Sequence, residues 1–450
     1  MSAYARFALV VAVSLIGGLA EAQVPSTGLQ PGRTPDRTRP IPLSVEEAVT
    51  RAQRSSPDAV QAEGNARTSR AARTSAYGAL LPNATLSAGR VFQFGGATRI
   101  NQNGEQIAVS QDPTNSTGLS LNMQLFDGGQ RLYNVRTARA NIEAADINRV
   151  AVKYDIALQV KQQYYAVLAA IESQEAAGAQ MEQARVQYTA SLARVRAGVA
   201  TRSDSLRGVI QVGNAQLAEV TAESDLATAN AALTRLVGSE YPVTADPATV
   251  RENLAALPDS AELWILARRG PAIEAAQANL KAAEQSLRAT KTTYLPSLSA
   301  NYSRSGSGVG TFGLDRDPYN YNGRLSFSLS YPVFNGFLRE EQVVRAQVAE
   351  TNSRAQLRDA SLAADQQLAQ LLGSIRAAAQ RVAVQSASVT AAVEDVRVQQ
   401  QRYNIGASTL LDLLTSQTTL AQARQSLILA RYDYRIARAQ LETLIGRELR

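Results

Sequence analysis

Two stretches of the sequence, 114–241 and 333–450, contain no proline and are rich in Ala, Gln, Arg, Glu and Leu. Because proline breaks the interior of a helix and these five residues favour one, each stretch predicts long helices. The segments from about 128 to 196 and from about 336 to 404 would each extend roughly 100 Å at 1.5 Å per residue. Helices of that length exceed an ordinary globular domain and predict an elongated molecule.

The long helices carry apolar residues at heptad spacing, with Lys161 as the one polar position of the first. Heptad spacing is typical of coiled-coil seams, and the many alanines beside these seams suit a wall of helices that pack on both edges. The seam residues are Ile147, Val150, Tyr154, Ala157, Tyr164, Leu168 and Ile171 in the first helix, and Leu368, Leu371, Ile375, Ala378 and Val382 in the second.

Each long helix is expected to end at a glycine, Gly198 or Gly406, because glycine takes the left-handed conformation past a helix end at little cost. The helical pattern then resumes at once and continues to about Val237 and Ile445. Each half of the chain therefore predicts a long helical hairpin, with its tip near 198 or 406.

The two halves are an internal duplication. A Leu-Pro pair at 81–82 recurs at 295–296, and Phe-Asp-Gly at 126–128 recurs as Phe-Asn-Gly at 334–336. The first offset is about 214 residues and the second is about 208, so about six residues are lost between the two marks. Such losses concentrate in exposed loops, which places variable loops within this region of each half.

The amino terminus has the pattern of a secretory signal peptide: Arg6, an apolar run at 7–19, and Ala20-Glu21-Ala22 as a small-x-small sequence. The run is too short for a membrane-spanning helix. Because the sequence has no cysteine, no lipid anchor is expected. The predicted organisation is a signal peptide at 1–22, a Pro- and Gly-rich linker at 23–42, repeat 1 at 43–242, an inter-repeat linker at 243–257 and repeat 2 at 258–450.

Between the helices the hydrophobic period changes from 3.6 to 2, which is typical of strands with two different faces. Two β-hairpins are predicted, at about 83–126 and 297–334, with loops at 95–104 and 306–317. The clearest alternating apolar residues are Leu119, Leu121, Met123 and Leu125 in the first hairpin and Leu325, Phe327, Leu329 and Tyr331 in the second.

Two structures fit these four strands. One is a soluble sheet with one wet face, because half-buried antiparallel strands show the same alternation. The other is a share of a membrane barrel, since each strand is about as long as a tilted strand that crosses a bilayer. Four strands alone would leave open edges in hydrocarbon, and single-chain barrels begin at about eight strands, so several chains would have to share one barrel.

The composition argues against an enzyme. The sequence has no histidine and no cysteine, which removes the commonest metal ligand and the usual general base. A hydrolase that uses carboxylates alone needs an acid pair in a cleft, and no acidic cluster stands out beyond the helix faces. The net charge of +7 comes from scattered arginines rather than from the clusters of a nucleic-acid binder. We therefore expect no catalytic residue, metal, cofactor or nucleic-acid partner.

These features in this order, from 43 to 447, resemble the TolC-like outer-membrane efflux family. The resemblance implies a mainly α fold with a small membrane β part. Duplicated long helical hairpins would form an α-barrel, and four transmembrane strands per chain would complete a shared 12-stranded β-barrel in a homotrimer. The implied function is the outer-membrane exit duct of a tripartite efflux or type I secretion system of a Gram-negative bacterium. Its partners would be a periplasmic adaptor protein, an inner-membrane pump and outer-membrane lipid.

The resemblance also implies a periplasmic gate. Asp412 matches a position where family members project a ring of carboxylates into the entrance, and Asp204 and Tyr403 match a hydrogen-bonded pair that holds the entrance closed. Thr415 and Ser408 stand where some members have a second carboxylate and an additional arginine link. Helix capping is the alternative for both acids, because each lies in the first turn of a helix.

The adaptor protein would contact the hairpin tips, at Gly198, Val199, Ala200, Gly406, Ala407 and Ser408. A competing hypothesis is a periplasmic structural or adaptor coiled-coil protein without a channel. That hypothesis explains the signal peptide and the helices but leaves the four amphipathic strands without a role.

Overall fold

A computed structural model describes residues 40–92, 97–100, 106–109, 113–249, 259–309 and 320–449. The predicted signal peptide at 1–22 lies outside these residues, as do most of the linker at 23–42 and residues 250–257 of the inter-repeat linker. None of the helices in the described part of the chain combines the length and the apolar character of a membrane span.

The long elements occur twice in the same order. The first half contains β1 (Ile41–Leu43), α1 (Val45–Ser55), α2 (Pro57–Gly78), β2 (Asn83–Val91), β3 (Ala97–Ile100), β4 (Gln106–Val109), β5 (Thr114–Phe126), α3 (Gln130–Arg196) and α4 (Arg202–Val237). The second half contains β6 (Val243–Ala245), α5 (Ser260–Ala267), α6 (Pro271–Lys291), β7 (Ser297–Val309), β8 (Asn320–Ser330), α7 (Leu338–Asn404) and α8 (Leu410–Ile445). Helices α3 and α7 have 67 residues each, and α4 and α8 have 36 each.

The chain passes from strand to long helix through residues in the left-handed conformation. Gly128 and Gly129 have φ angles of 67° and 88° before α3, and Gly336 and Phe337 have φ angles of 66° and 64° before α7. Glycine adopts this conformation readily, whereas a side chain makes it costly. Phe337 is the one residue other than glycine with positive φ among the described residues.

The main core lies near the middle of α3. The predicted seam residues Tyr164 and Leu168 are buried there against α1 and the parallel pair β1–β6. The Tyr164 hydroxyl donates to the Leu43 carbonyl at 2.9 Å and accepts from the Asp246 backbone N–H at 3.1 Å. It thereby joins the start of repeat 1 to the segment that follows α4. Val150, another predicted seam residue, is 44% exposed.

A second core contains the predicted seam of α7. Leu368 and Ile375 are buried against Leu263 of α5 and Leu441 of α8, and Leu371 packs at its margin. The two cores therefore lie at similar levels of the two long helices, and α8 contributes residues to both.

Lys161 pairs with an acid from the other repeat. Its Nζ lies 2.5 Å from Oε2 of Glu442 on α8, and the two side chains are 19% and 14% exposed. The second oxygen of Glu442 accepts from the Leu449 backbone N–H at 3.1 Å. The one polar position of the seam is therefore a link between the two repeats.

Strands β2, β5, β7 and β8 form one antiparallel sheet in that order, so the two predicted hairpins lie side by side. A register shift at Leu125 brings Phe126 opposite Leu298. The expectation of a plain loop at 95–104 was wrong, because β3 pairs with β4 as a separate antiparallel ribbon. The β-branched residues of these two short segments favour such pairing.

Candidate functional site

The register of the sheet sorts its side chains onto two different faces, because directly paired residues of antiparallel strands share a face. The apolar face includes Ala84, Leu86, Leu119, Leu121, Met123, Leu298, Ala300, Tyr302, Leu325, Phe327 and Leu329. The polar face carries hydroxyl and amide side chains, namely Thr85, Ser87, Ser120, Asn122, Gln124, Ser299, Asn301, Ser303, Ser326 and Ser328.

Most of the apolar face is uncovered within the described residues. Leu86 is 82% exposed, Phe327 is 66% exposed and Leu329 is 71% exposed. A soluble sheet with one wet face packs its apolar face on a core. Contiguous apolar surface of this kind marks contact with a membrane or with another protein. The arrangement therefore disfavours the soluble-sheet alternative.

The sheet also has two open edges. In the part of the chain that the structure describes, β2 and β8 each pair on one side only. Their remaining backbone donors and acceptors can be left to water but not to hydrocarbon, where each unpaired group costs several kcal/mol. If the apolar face lies in lipid, strands from other chains must complete the sheet.

The long helices form a wall with two free edges. Helix α3 packs against both α4 and α8, and α8 packs against α7, which gives the order α4-α3-α8-α7. The outer helix α4 carries apolar side chains that are each more than half exposed and that recur at coiled-coil spacing. This α4 stripe consists of Leu206, Ile210, Leu217 and Val220.

The two helical hairpins turn in the same way at their tips. Gly198 has a φ angle of 75° and Gly406 one of 77°, as expected past a helix end. At the first tip, Oδ2 of Asp204 accepts from the backbone N–H of Thr201 at 3.0 Å and from its hydroxyl at 2.8 Å. The Thr201 hydroxyl accepts in return from the Asp204 backbone N–H at 3.3 Å. This reciprocal arrangement is a capping box that fixes the start of α4.

Asp412 occupies the equivalent place at the second tip. Its Oδ2 accepts from the backbone N–H of Thr409 at 2.9 Å and from the hydroxyl at 2.8 Å. These hydrogen bonds, with a smaller contribution from the Arg402 charge, hold the pKa of the exposed Asp412 carboxyl below its usual value of 3.8. The capping alternative is thus observed at both acids. It leaves Asp412 exposed and negatively charged at neutral pH.

Tyr403 is not joined to Asp204 in this chain. The tyrosine is 8% exposed, and its ring lies 4.5 Å from the guanidinium carbon of Arg194 on α3. Arg194 also donates to the Tyr403 carbonyl at 3.3 Å. The Tyr403 hydroxyl has no hydrogen-bond partner among the described residues, and the Asp204 carboxylate is bound to its own cap.

The second tip has a small core that the sequence reasoning missed. Leu410 and Leu413 are buried against Tyr403. The corresponding residues of the first tip are Arg202 and Ser205, so the two tips differ in chemistry although their backbones agree. The difference is visible in the sequence, because residues 409–414 at the second cap read TLLDLL whereas residues 201–206 at the first cap read TRSDSL.

Of the six residues predicted to contact an adaptor, Val199 presents the largest apolar surface and is 68% exposed. Ile405, which the sequence reasoning did not select, is 81% exposed beside Gly406. The Ser408 hydroxyl lies 3.5 Å from the Gln399 carbonyl, which is a long contact within its own tip. Each tip therefore ends in one protruding aliphatic side chain.

Comparisons with known proteins agree with this geometry. The family model described as outer membrane efflux protein matches residues 48–239 and 265–447. Protein CyaE of Bordetella pertussis is 29% identical over 356 residues, which cover 77% of this chain and 72% of CyaE. Outer membrane protein TolC of Escherichia coli is 25% identical over 347 residues, which cover 74% of this chain and 70% of TolC.

The crystal structure of the open state of the MtrE outer membrane channel from Neisseria gonorrhoeae has the same fold. The two structures superpose with a TM-score of 0.75 at 21% sequence identity. The superposed residues cover 90% of this chain and 89% of the MtrE chain. The two segments that the family model matches fall on the two halves of the duplication and include most of the chain. The chain therefore belongs to the outer membrane efflux protein family.

Proposed function

We propose that this chain forms the outer-membrane exit duct of a tripartite efflux or type I secretion system and that it works as a homotrimer. The observation that carries the proposal is an uncovered apolar face on a sheet with two open edges. Lipid covers the apolar face, and β8 of one copy pairs with β2 of the next. Three such sheets close a barrel of 12 strands that has no edge, and the polar face lines its lumen.

The helical wall closes in the same way. Its free edges are α4 and α7, and the α4 stripe is a coiled-coil seam that lacks a partner within the described residues. In the assembly the α4 stripe packs against α7 of a neighbouring copy. The result is an α-barrel that continues the lumen of the β-barrel into the periplasm.

The duct conducts passively and catalyses no reaction. The polar face supports this, because its described strands carry mainly hydroxyl and amide groups with one charged residue, Arg324, which suits passage of solutes rather than tight binding. Energy comes from an inner-membrane pump through a periplasmic adaptor that docks on the hairpin tips, where Val199 and Ile405 offer exposed apolar contacts. Relatives are named for pyoverdine export and for cobalt-zinc-cadmium resistance, which supports placing the choice of cargo with the pump.

The periplasmic gate lies at the second tip. Copies of Asp412 form a ring of carboxylates that narrows the entrance and attracts cations, which its exposure and its lowered pKa support. Asp204 and Tyr403 act as a latch in the closed assembly. The buried Tyr403 hydroxyl, which has no partner within the described part of one chain, is the group available for that bond.

Single-channel conductance in planar bilayers tests the proposal. The purified mature chain is expected to give small, cation-selective currents. Asp412→Asn keeps an acceptor for the cap but removes the charge, and it should reduce the cation selectivity. Asp359→Asn is the matched control, because it removes one exposed carboxylate from α7 far from the hairpin tips.

A selectivity that responds equally to both substitutions would contradict the assignment of the ring to Asp412. The absence of any channel from correctly folded wild-type protein would contradict the duct itself. It would favour the periplasmic structural alternative.

A further inference from the structure

The four strands of the sheet contain three charged residues within their described bounds, and all three are arginines. Arg90 on β2 stands opposite Asn115, and Arg304 on β7 stands opposite Leu119, so both belong to the apolar face. Arg324 on β8 belongs to the polar face. The apolar face therefore carries two positive charges, and its strands supply no carboxylate to neutralise them.

The two arginines of the apolar face, Arg90 and Arg304, lie toward the same end of the sheet. β2 follows α2 and β5 leads into α3, so one end of the sheet adjoins the helices. The rows nearest that end are wholly apolar and begin at Leu298 and Leu329. Arg304 lies six residues beyond Leu298, or about 20 Å along the strand, and Arg90 lies in a row still further from the helices. Both arginines mark the far end of the apolar face.

Each arginine lies against an aromatic ring on that face. The guanidinium carbon of Arg90 is 5.2 Å from the centroid of the Phe92 ring, and that of Arg304 is 5.3 Å from the centroid of Tyr321. Such contacts hold a charged group beside apolar surface while its N–H groups stay free to meet an anion. Aromatic residues at the rim of an apolar face are typical of the level where lipid headgroups begin.

The outer leaflet of the membrane offers anionic groups that the two arginines could bind. If the helices extend into the periplasm, as the proposed function requires, the far end of the apolar face reaches the outer leaflet. In Gram-negative bacteria that leaflet consists largely of a phosphorylated glycolipid, whose headgroup bears anionic phosphates on a sugar core. Guanidinium groups bind phosphate oxygens through paired N–H donors, and do so more strongly where water is scarce.

We infer that Arg90 and Arg304 bind the phosphate groups of the outer-leaflet glycolipid and thereby anchor the channel at the outer surface. The inference rests on the proposed function, because it needs the sheet to span the outer membrane. The two arginines lie on different strands and about four residues apart in register, so each takes a separate phosphate. Arg324, on the polar face, takes no part.

Equilibrium binding of lipid A to the full chain in detergent micelles tests the inference. The probes are bisphosphorylated lipid A and the same lipid after removal of both phosphates. Arg90→Gln combined with Arg304→Gln is expected to weaken binding of the phosphorylated probe by at least about tenfold, since each lost charge-assisted contact is worth that much. Arg324→Gln removes the same charge from the polar face of the same sheet and should leave binding unchanged.

The wild-type chain should also bind the dephosphorylated probe at least about tenfold more weakly. Equal affinity of the double variant and the wild type, or an equal loss in Arg324→Gln, would overturn the inference. A thermal melt of each variant checks that it is folded. Arg304→Lys keeps the positive charge but loses the paired N–H donors, so its affinity for the phosphorylated probe should be intermediate.

Conductance of the same wild-type preparation separates the two levels of failure. If the wild type conducts but the double variant binds lipid A as tightly as the wild type, only the phosphate site is refuted. A preparation that forms no channel would refute the proposed function, and the phosphate site with it.

Discussion

Gly128 and Gly336 occupy equivalent positions in the two repeats, where a strand passes into a long helix. Both have a left-handed backbone, but their surroundings differ. A Cβ on Gly128 would lie 2.7 Å from the Cβ of Leu295 and 2.9 Å from the carbonyl oxygen of Thr292, whereas a Cβ on Gly336 would meet nothing within 4 Å. The chain therefore contains its own control for separating backbone strain from steric conflict.

Gly336→Ala is expected to lower the free energy of unfolding by about 1–2 kcal/mol, which is the usual cost of a left-handed residue with a Cβ. Gly128→Ala should cost clearly more, because the added Cβ would also clash with the Thr292 carbonyl oxygen and the Leu295 side chain. Chemical unfolding in detergent, followed by circular dichroism, measures both. Equal costs for the two substitutions would mean that the close packing around Gly128 is absent.

The Asp412 cap is expected to weaken in acid. Since the pKa of folded Asp412 lies below its usual 3.8, the ionised carboxylate stabilises the cap. This contribution is present above about pH 3.8 and is lost as the pH falls through the lower folded pKa. Amide hydrogen exchange in the first turn of α8 should be slower in the wild type than in Asp412→Ala at neutral pH. The difference should shrink in acid, and a difference that persists there would refute this explanation.

Among the secondary-structure elements, α3 and α8 hold the two repeats together through the Lys161–Glu442 pair. Such partly buried pairs are costly to break, because removing one partner leaves the other charge without compensation. We expect Lys161→Met to lower the free energy of unfolding by about 2 kcal/mol. The double variant Lys161→Met with Glu442→Leu should lose less than the sum of the single variants. Strict additivity in this double-mutant cycle would show that the two side chains are not coupled.

We expect the exposed α4 stripe to be needed for assembly of the chains. Ile210→Asp places a charge in the seam that we assign to a neighbouring copy, so it should reduce the fraction of assembled protein while the helix content of the chain stays the same. Ala218→Asp is the control, because it adds the same charge at an exposed position of α4 that does not stand three or four residues from any residue of the stripe. Native mass spectrometry of detergent-solubilised protein reports the assembled fraction. Equal assembly of both variants would remove the α4 stripe from the interface.

At the scale of the whole molecule, the sequence predicted the long elements well because their signals are local. The glycines at 198 and 406, the lack of proline and the change of period at the strands place the helical hairpins within a few residues of where the structure has them. The family and its fold are confirmed by the comparisons.

Contacts between distant residues were not predictable in the same way. The partner of Lys161 lies 281 residues away, and β1 and β6 pair through only three residues each. The short ribbon of β3 and β4 was missed because its segments are four residues long. At the candidate gate, the caps of Asp204 and Asp412 could be foreseen from their threonines. The packing of Tyr403 on Arg194 could not, because it depends on how α7 meets α3.

The central claim is that one chain supplies a part of a closed barrel and is incomplete alone. The most direct test is the mass of the mature protein extracted from outer membranes in mild detergent, measured by native mass spectrometry. We predict a complex of three identical chains that precipitates when the detergent is removed. A folded monomer that stays soluble without detergent would contradict it, because the apolar face would then have no reason to remain uncovered.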